Sequence, residues 1–186
     1  SSDRWVNGDY FTPFIVKAGG TRSLPVVTIA TAWGGNCDMK AEQLRWNGCA
    51  AVALADALTR AGWSVGITAW YSMQSNADPR NRTSMLIPVK QPDELLRIGK
   101  LGALLAHPAS FRLRQFRLIK ALPLVDSGTA LGRSKPISTI PVEMRSKIRG
   151  LLSGNTILLD SVFDERSAVD AIAKALESVK NPTLVA

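Results

Sequence analysis

A glycine-rich loop after the first predicted strand has the residue types of a phosphate site. β-formers at 26–32 end at Trp33, Gly34, Gly35 and Asn36, and a helix rich in small residues follows soon after. The free N–H groups at the start of a helix can bind phosphate. The loop lacks the G-x-G-x-x-G fingerprint, and the stretch GTALGRS further on lacks the spacing and the lysine of a P-loop. We interpret the glycines as a tight turn and keep phosphate binding as the alternative.

Cysteine and histidine offer a second chemistry, nucleophilic catalysis. Cys37 lies close to the predicted helix start, where a thiol becomes more reactive. Such a nucleophile needs a base, and the sole histidine, His107, precedes Pro108 at a predicted helix junction. Because nothing in the sequence places His107 beside Cys37, we interpret His107 as structural and predict no catalytic residue.

Positive charge is concentrated in one quarter of the chain. The formal net charge is +8, and residues 107–150 carry nine basic residues against Asp126 and Glu143. The basic residues are Arg112, Arg114, Arg117, Lys120, Arg133, Lys135, Arg145, Lys147 and Arg149. Such a segment indicates an acidic partner, either nucleic acid or an acidic protein face. A solvated basic face without a partner is the alternative.

Length and composition predict one globular domain. A chain of 186 residues can bury roughly two thirds of its unfolded surface without disulfides. Cys37 and Cys49 would lie too far apart along the predicted helix to pair, which favours a reducing compartment. No apolar run approaches the roughly 18 residues of a membrane span. We predict an irregular extension over residues 1–24 that packs on a domain over residues 25–186.

The first predicted elements form a βαβ unit. Residues 26–32, VVTIATA, are mostly apolar and β-branched, as in a buried central strand. Asp38 as N-cap and Gly62 as a left-handed stop predict one helix between them. Residues 64–71 then form strand 2, parallel to strand 1. The helix carries one stripe that should face the sheet: Leu44, Gly48, Ala51, Val52, Ala55 and Leu58.

The third predicted strand, over residues 83–89, should lie at a sheet edge. Pro88 cannot donate a ladder hydrogen bond, so it favours an edge. The polar link over residues 72–82 is too short for a parallel crossover, and strand 3 should therefore run antiparallel to strand 2.

Helices dominate the rest of the chain. Residues 93–122 predict two helices that meet at His107, because the residue before a proline disfavours helix. Residues 123–142 predict a loop and residues 142–152 a short basic helix. Residues 156–159 form strand 4, and Asp164 should cap a last helix. The fold class is α/β: a Rossmann-like three-layer sandwich, mostly parallel, with strand order 3-2-1-4 and an antiparallel edge strand.

Three segments between residues 26 and 123 resemble a known family. They read VVTIATAW, RWNGCAAVALADALTRAGWSV and MLIPVKQPDELLRIGKLGALLAHPASFRLRQF. In this order they resemble the von Willebrand factor A domain and, more closely, a von Willebrand A-like domain family of phage and prophage proteins. The resemblance implies the same α/β fold and a role in interaction or assembly in a phage-related system.

The same resemblance implies where a divalent metal would bind. The parent family places Asp-x-Ser-x-Ser after strand 1, where this chain has Thr31 and the loop from Ala32 to Gly35. That stretch offers one hydroxyl, whereas Mg²⁺ prefers carboxylate oxygens among its ligands. Thr129 and Asp160 match the other two ligand positions, and Asp38 is a weak substitute for the lost carboxylate. We predict a degenerate site with no metal and no cofactor.

The degenerate metal motif, the basic segment and the resemblance together favour a non-catalytic interaction or assembly module that binds a protein partner or associates with itself. A nucleic-acid-associated protein is the second hypothesis, and a metal- or phosphate-binding enzyme is the third. Convergence of the basic side chains on one face would favour nucleic acid, and dispersal would favour a protein. The loop from Trp33 to Asp38 should bury its own tryptophan ring and bind no ligand. The expected location is the host cytoplasm or a virion, with no membrane contact.

Overall fold

A computed structural model gives the chain as helices on both faces of a mixed sheet. It describes residues 24–34, 39–74, 82–110, 113–114, 117, 133–134, 139–152 and 155–179. The strands are β1 (Val26–Ala32), β2 (Ser64–Gln74), β3 (Arg82–Lys90), β4 (Arg133–Ser134) and β5 (Asn155–Leu159). The helices are α1 (Ala41–Arg60), α2 (Ile98–Leu101), which continues into a π-helical segment (Gly102–Ala106), α3 (Pro108–Ser110), α4 (Val142–Leu151) and α5 (Glu165–Val179).

The strand order β3-β2-β1-β5 confirms the predicted order 3-2-1-4, because β5 contains the residues predicted as strand 4. β1 is parallel to both neighbours, with Val27 opposite Val65 of β2 and Asn155 of β5. β3 runs antiparallel to β2. The two-residue β4 was not predicted, and it pairs with Met73 and Gln74 at the end of β2. Because β3 occupies the other side of those residues, β4 lies beyond the carboxyl end of β1.

The two faces of the sheet bury two cores. Val27 and Ile29 of β1 point to the larger core, which contains buried side chains of α1, α2, the π-helical segment and α5. Ala32 faces the smaller core, in which Trp70 of β2 meets Ile148 of α4. Ile29 is fully buried, and burial of such a side chain contributes about 1.5 to 3 kcal/mol. The alternation of side chains along β1 therefore produces the three layers.

Helix α1 ends as predicted and begins later than predicted. Its C-terminal carbonyls are satisfied by Gly62, whose φ is 88°, and by Trp63, whose N–H donates to the Leu58 oxygen at 3.0 Å. At the other end Lys40 is the N-cap, and its N–H donates to Oε1 of Gln43 at 2.9 Å. The prediction of Asp38 as N-cap was wrong: the Gln43 side chain accepts the backbone N–H of Lys40, so the helix is capped two residues after Asp38. Asp38 itself lies outside the described residues.

The predicted stripe of α1 is buried, but one of its contacts was not foreseen. A Cβ built on Gly48 would lie 2.4 Å from the backbone nitrogen of Ala106 and 2.4 Å from the carbonyl carbon of Leu105. Gly48 therefore lets α1 cross the π-helical segment backbone to backbone. The small residues of the stripe serve a helix crossing as well as contact with the sheet.

The region after β3 confirms the interruption at His107 and corrects its start. His107 is extended, with φ −86° and ψ 120°, and separates the π-helical segment from α3. The helix begins at Ile98, not at residue 93, because a local turn holds the preceding residues. In that turn the Glu94 N–H donates to the Gln91 oxygen at 3.1 Å, and the Gln91 N–H donates to Oε2 of Glu94 at 2.9 Å.

The last helix has the predicted cap. Oδ1 of Asp164 accepts a hydrogen bond from the Ser167 N–H at 2.7 Å, and Oγ of Ser167 accepts one from the Asp164 N–H at 3.2 Å. The hydrogen bonds from Ser167 lower the pKa of the Asp164 carboxyl. Among the residues that the structure describes, no helix has both the length and the apolar character needed to cross a membrane.

Tyr71 of β2 makes the stability of the fold sensitive to alkaline pH. Burial raises its pKa from 10.0 to about 12, so between those values the folded protein holds a proton that the unfolded chain has lost. Stability should therefore fall as the pH rises through this window, by up to about 2 to 3 kcal/mol.

The matched variant is Tyr71→Phe, which has no proton to lose. As the pH is raised from about 9 to 11.5, the urea midpoint of the wild type should fall more than the urea midpoint of the variant. Two parallel curves would show that Tyr71 titrates equally in both states.

Candidate functional site

The carboxyl ends of β1 and β5 form the edge where α/β proteins usually bind ligands. Here a side chain of α1 spans that edge. Nδ2 of Asn47 donates to the oxygen of Ala32, the last residue of β1, at 2.8 Å. Oδ1 of Asn47 accepts a hydrogen bond from the N–H of Val162, just after β5, at 3.1 Å. Asn47 is only 4% exposed, so this part of the edge is a buried joint.

Sequence reasoning missed Asn47, although a signal was present. Asn47 follows Leu44 by three residues and precedes Ala51 by four, so it lies on the apolar stripe of α1. A buried amide in such a stripe needs partners, because burial without hydrogen bonds is unfavourable. Its two partners, at the end of β1 and just after β5, are far apart in sequence, and only the folded topology brings them together.

The loop after β1 agrees with the prediction where it is described. Trp33 is 7% exposed and packs in the larger core. Its backbone N–H donates to the Trp70 backbone oxygen at 2.7 Å, which extends the pairing of β1 with β2 by one residue. Gly34 has φ 146°, a conformation that side chains rarely adopt. Gly35, Asn36, Cys37 and Asp38 lie outside the described residues, so the absence of a ligand there stays a prediction.

The candidate metal ligands are only partly described. Oδ1 of Asp160, directly after β5, accepts a hydrogen bond from the Ser161 N–H at 2.8 Å. Thr31, the hydroxyl of the degenerate motif, is 1% exposed. Thr129 and Asp38 lie outside the described residues. Within the described part of the chain, no three His, Cys, Asp or Glu residues cluster as metal ligands would.

Helix α4 carries the best described part of the basic segment. Lys147 and Arg149 are exposed, and Arg145 is partly exposed. Ile148, which faces the smaller core, fixes the rotation of the helix. At 100° per residue, Arg145 and Arg149 then lie on one flank and Lys147 on the other. The helix therefore presents basic side chains on both sides of its buried stripe.

The remaining basic residues do not join α4 in the described part of the structure. Arg114 and Arg117 are exposed and follow α3, which contacts α1 on the opposite face of the sheet from α4. Arg133 lies on β4. Arg112, Lys120 and Lys135 are outside the described residues. The described contacts thus place α3 and α4 on opposite faces of the sheet, and whether the basic side chains converge on one face stays untested.

His107, considered as a catalytic base, has a structural position. Nδ1 of His107 accepts a hydrogen bond from the Ala109 N–H at 3.2 Å, which holds the turn into α3. Cys49 is a free, exposed thiol on α1. Cys37, the other candidate, lies outside the described residues.

Strand order, the antiparallel edge and the helical layers define an α/β domain of Rossmann-like class. More particularly, the chain belongs to the family described as domain of unknown function DUF7192, whose profile matches residues 12–180. This range contains every element from β1 to α5. No curated protein and no solved structure matched the chain in the comparisons.

Proposed function

We propose that this domain is a non-catalytic interaction module of von Willebrand A type that binds an acidic protein surface through α4. The phage-related setting is part of the proposal and rests on the sequence resemblance alone. The observation that carries the proposal is the surface of α4, which mixes basic and apolar side chains.

The carboxyl edge supports a non-catalytic role. An enzyme with this fold would bind its substrate at the carboxyl end of β1, where the connections to the neighbouring strands β2 and β5 leave in opposite directions. In this domain the Asn47 amide ties Ala32 to Val162 at that point. The Ala32 oxygen and the Val162 N–H are thus committed to internal hydrogen bonds at this point of the edge.

The exposed side of α4 has the composition of a protein interface. Val142 and Leu151 are 61% and 76% exposed, and they lie on the same short helix as Lys147 and Arg149. Protein interfaces combine apolar contacts with basic residues such as arginine, and a charged rim gives specificity. Glu143 is the single acidic residue of α4, so an acidic partner is favoured.

Nucleic acid is the second candidate partner. It is favoured by the exposure of Arg114, Arg117, Lys147 and Arg149. Binding of this kind would weaken steeply with salt, by about 0.7 to 0.9 in the log-log slope for each phosphate neutralised. Exposed leucine and valine beside the charges contribute little to phosphate contacts, which is why the protein partner is preferred.

Affinity capture from a lysate of the source organism tests the proposal. The bait is the domain, the lysate is treated with nuclease, and the test variant is Lys147→Glu with Arg149→Glu. The control is Arg166→Glu with Lys174→Glu on α5, where both side chains are also exposed and the charge change is equal.

We expect nuclease-resistant capture of an acidic protein that the α4 variant loses and the α5 control keeps. Loss of all captured material on nuclease treatment, with salt-dependent binding of labelled DNA or RNA, would replace the proposal by the nucleic-acid candidate. Equal capture by both variants would refute a role for α4.

A further inference from the structure

A pocket of about 290 Å³ lies where β3 ends and α2 begins. Its lining includes Val89 and Lys90 of β3 and Leu101 of α2. Lys90 is opposite Ile67, near the start of β2. The pocket is therefore remote in register from the carboxyl edge that Asn47 closes, and neither that joint nor α4 contributes to it.

The floor of the pocket contains a buried lysine. Lys90 is 6% exposed, and its Nζ donates to the Val65 oxygen at 2.6 Å and to the Gln91 oxygen at 2.9 Å. The register of β3 against β2 shifts between Ile67 and Thr68, close to this lysine. Two carbonyls use two of the three donors of an ammonium. Burial lowers the pKa of this ammonium, and the negative charges of Glu94 and Asp93 oppose that shift, so the third donor of Lys90 faces a site that already contains acidic groups.

The rim adds two more positive charges. Arg97, the N-cap of α2, and Lys100 both line the pocket. The ion pair found among the described residues is Arg60 with Asp56, so neither Arg97 nor Lys100 is part of an ion pair there. Glu94, the acidic residue of the lining, already accepts the Gln91 N–H. The lining thus has an excess of positive charge.

Apolar groups complete the pocket. Val89 and Leu101 form part of its wall, and Leu95, also in the lining, is 74% exposed. Ile98, the first residue of α2, is 52% exposed. An exposed leucine next to Arg97 and Lys100, for which the described residues offer no ion pair, is typical of a surface that a ligand covers. Ligand pockets usually measure about 300 to 1,000 Å³, so this one suits a group of a few carbons and is small for a nucleotide.

We propose that this pocket binds a carboxylate that carries a short apolar group. Arg97 and Lys100 bind the carboxylate oxygens in charge-assisted hydrogen bonds, and the apolar group packs on Val89, Leu95 and Leu101. The carboxylate can come from a free short-chain acid or from the C-terminus of a peptide that ends in an apolar residue. This inference does not rest on the proposed function.

Titration followed by ¹⁵N-edited NMR of the whole chain tests the proposal with four probes. Hexanoate represents the free acid and N-acetyl-leucine the peptide C-terminus; hexanamide and N-acetyl-leucinamide are the uncharged controls. We expect saturable shifts of the amides of residues 97–101 by at least one acid, with a dissociation constant in the millimolar range for a ligand of about ten heavy atoms. The acid that binds more tightly identifies the source of the carboxylate.

The variant Arg97→Gln with Lys100→Gln should weaken binding at least about tenfold, since both exposed side chains can change without disturbing the core. The control Lys147→Gln with Arg149→Gln should leave it unchanged. Absence of saturation by both acids up to about 50 mM, equal binding of the uncharged amides, or equal binding by the double pocket variant would each overturn the proposal.

Discussion

Replacement of Gly48 by alanine should destabilise the domain by about 3 kcal/mol or more, at or above the upper end of the usual overpacking cost. The added methyl group would lie 2.4 Å from the backbone of Ala106 and of Leu105. A backbone cannot rotate away as a side chain can, so α1 and the π-helical segment must separate and lose packing along their crossing. Since domains of this size are stable by only about 5 to 15 kcal/mol, the loss should be easily measured by urea unfolding.

Gly99→Ala in α2 is the matched control. A Cβ built there meets nothing within 4 Å, and alanine is favoured over glycine in a helix by about 0.5 to 1 kcal/mol. The control should therefore be neutral or slightly stabilising. If Gly48→Ala unfolds within 1 kcal/mol of the wild type, about the average effect of a point mutation, then the two segments do not cross at this glycine.

Replacement of Asn47 by alanine should cost about 2 to 4 kcal/mol. The variant loses both hydrogen bonds of the amide and leaves the Ala32 oxygen and the Val162 N–H in a buried site. Each unsatisfied buried group costs about 1 to 3 kcal/mol, less where water can enter. Equilibrium unfolding in urea would measure the loss.

Asn47→Asp separates the two hydrogen bonds. An ionised aspartate can still accept from Val162 but cannot donate to the Ala32 oxygen. A protonated aspartate can do both, so this variant should gain stability relative to the wild type as the pH is lowered through the range where its carboxyl protonates. An Asn47→Ala protein as stable as the wild type, or an Asn47→Asp protein with no such pH dependence, would contradict the assignment of this joint.

The topology could be predicted because it depends on strong, local signals. Pro88 marks an edge strand, Gly62 ends α1 and Asp164 begins α5, and each acts through the backbone of its immediate neighbours. The start of α1 was predicted two residues too early because Asp38 and Lys40 both precede good helix formers. The choice between them was made by Gln43, whose side chain bonds the N–H of Lys40.

The site residues were harder to predict because they act across the fold. Asn47 joins groups that are 15 and 115 residues away in the sequence. Gly48 was assigned to the buried stripe of α1, but its closest neighbours belong to the π-helical segment, about 57 residues later. The short β4 has no periodic pattern of its own and forms only because β2 extends past the end of β1. The pocket beside Lys90 combines the end of β3 with the turn between Gln91 and Glu94, which the sequence pattern predicted as the start of a helix.

At the carboxyl edge of the sheet Asn47 forms an internal joint, and we predict that this edge holds no ligand. Thermal unfolding of the wild type in millimolar Mg²⁺, Mn²⁺ or phosphate, compared with Na⁺ or chloride at matched ionic strength, tests it most directly. An ion bound only to the native state at 100 times its dissociation constant would add about 2.7 kcal/mol of stability and raise the melting temperature. We predict no such rise. A rise with Mg²⁺ or Mn²⁺ that Asp160→Ala abolishes, or a rise with phosphate, would contradict the claim and identify this edge as a binding site.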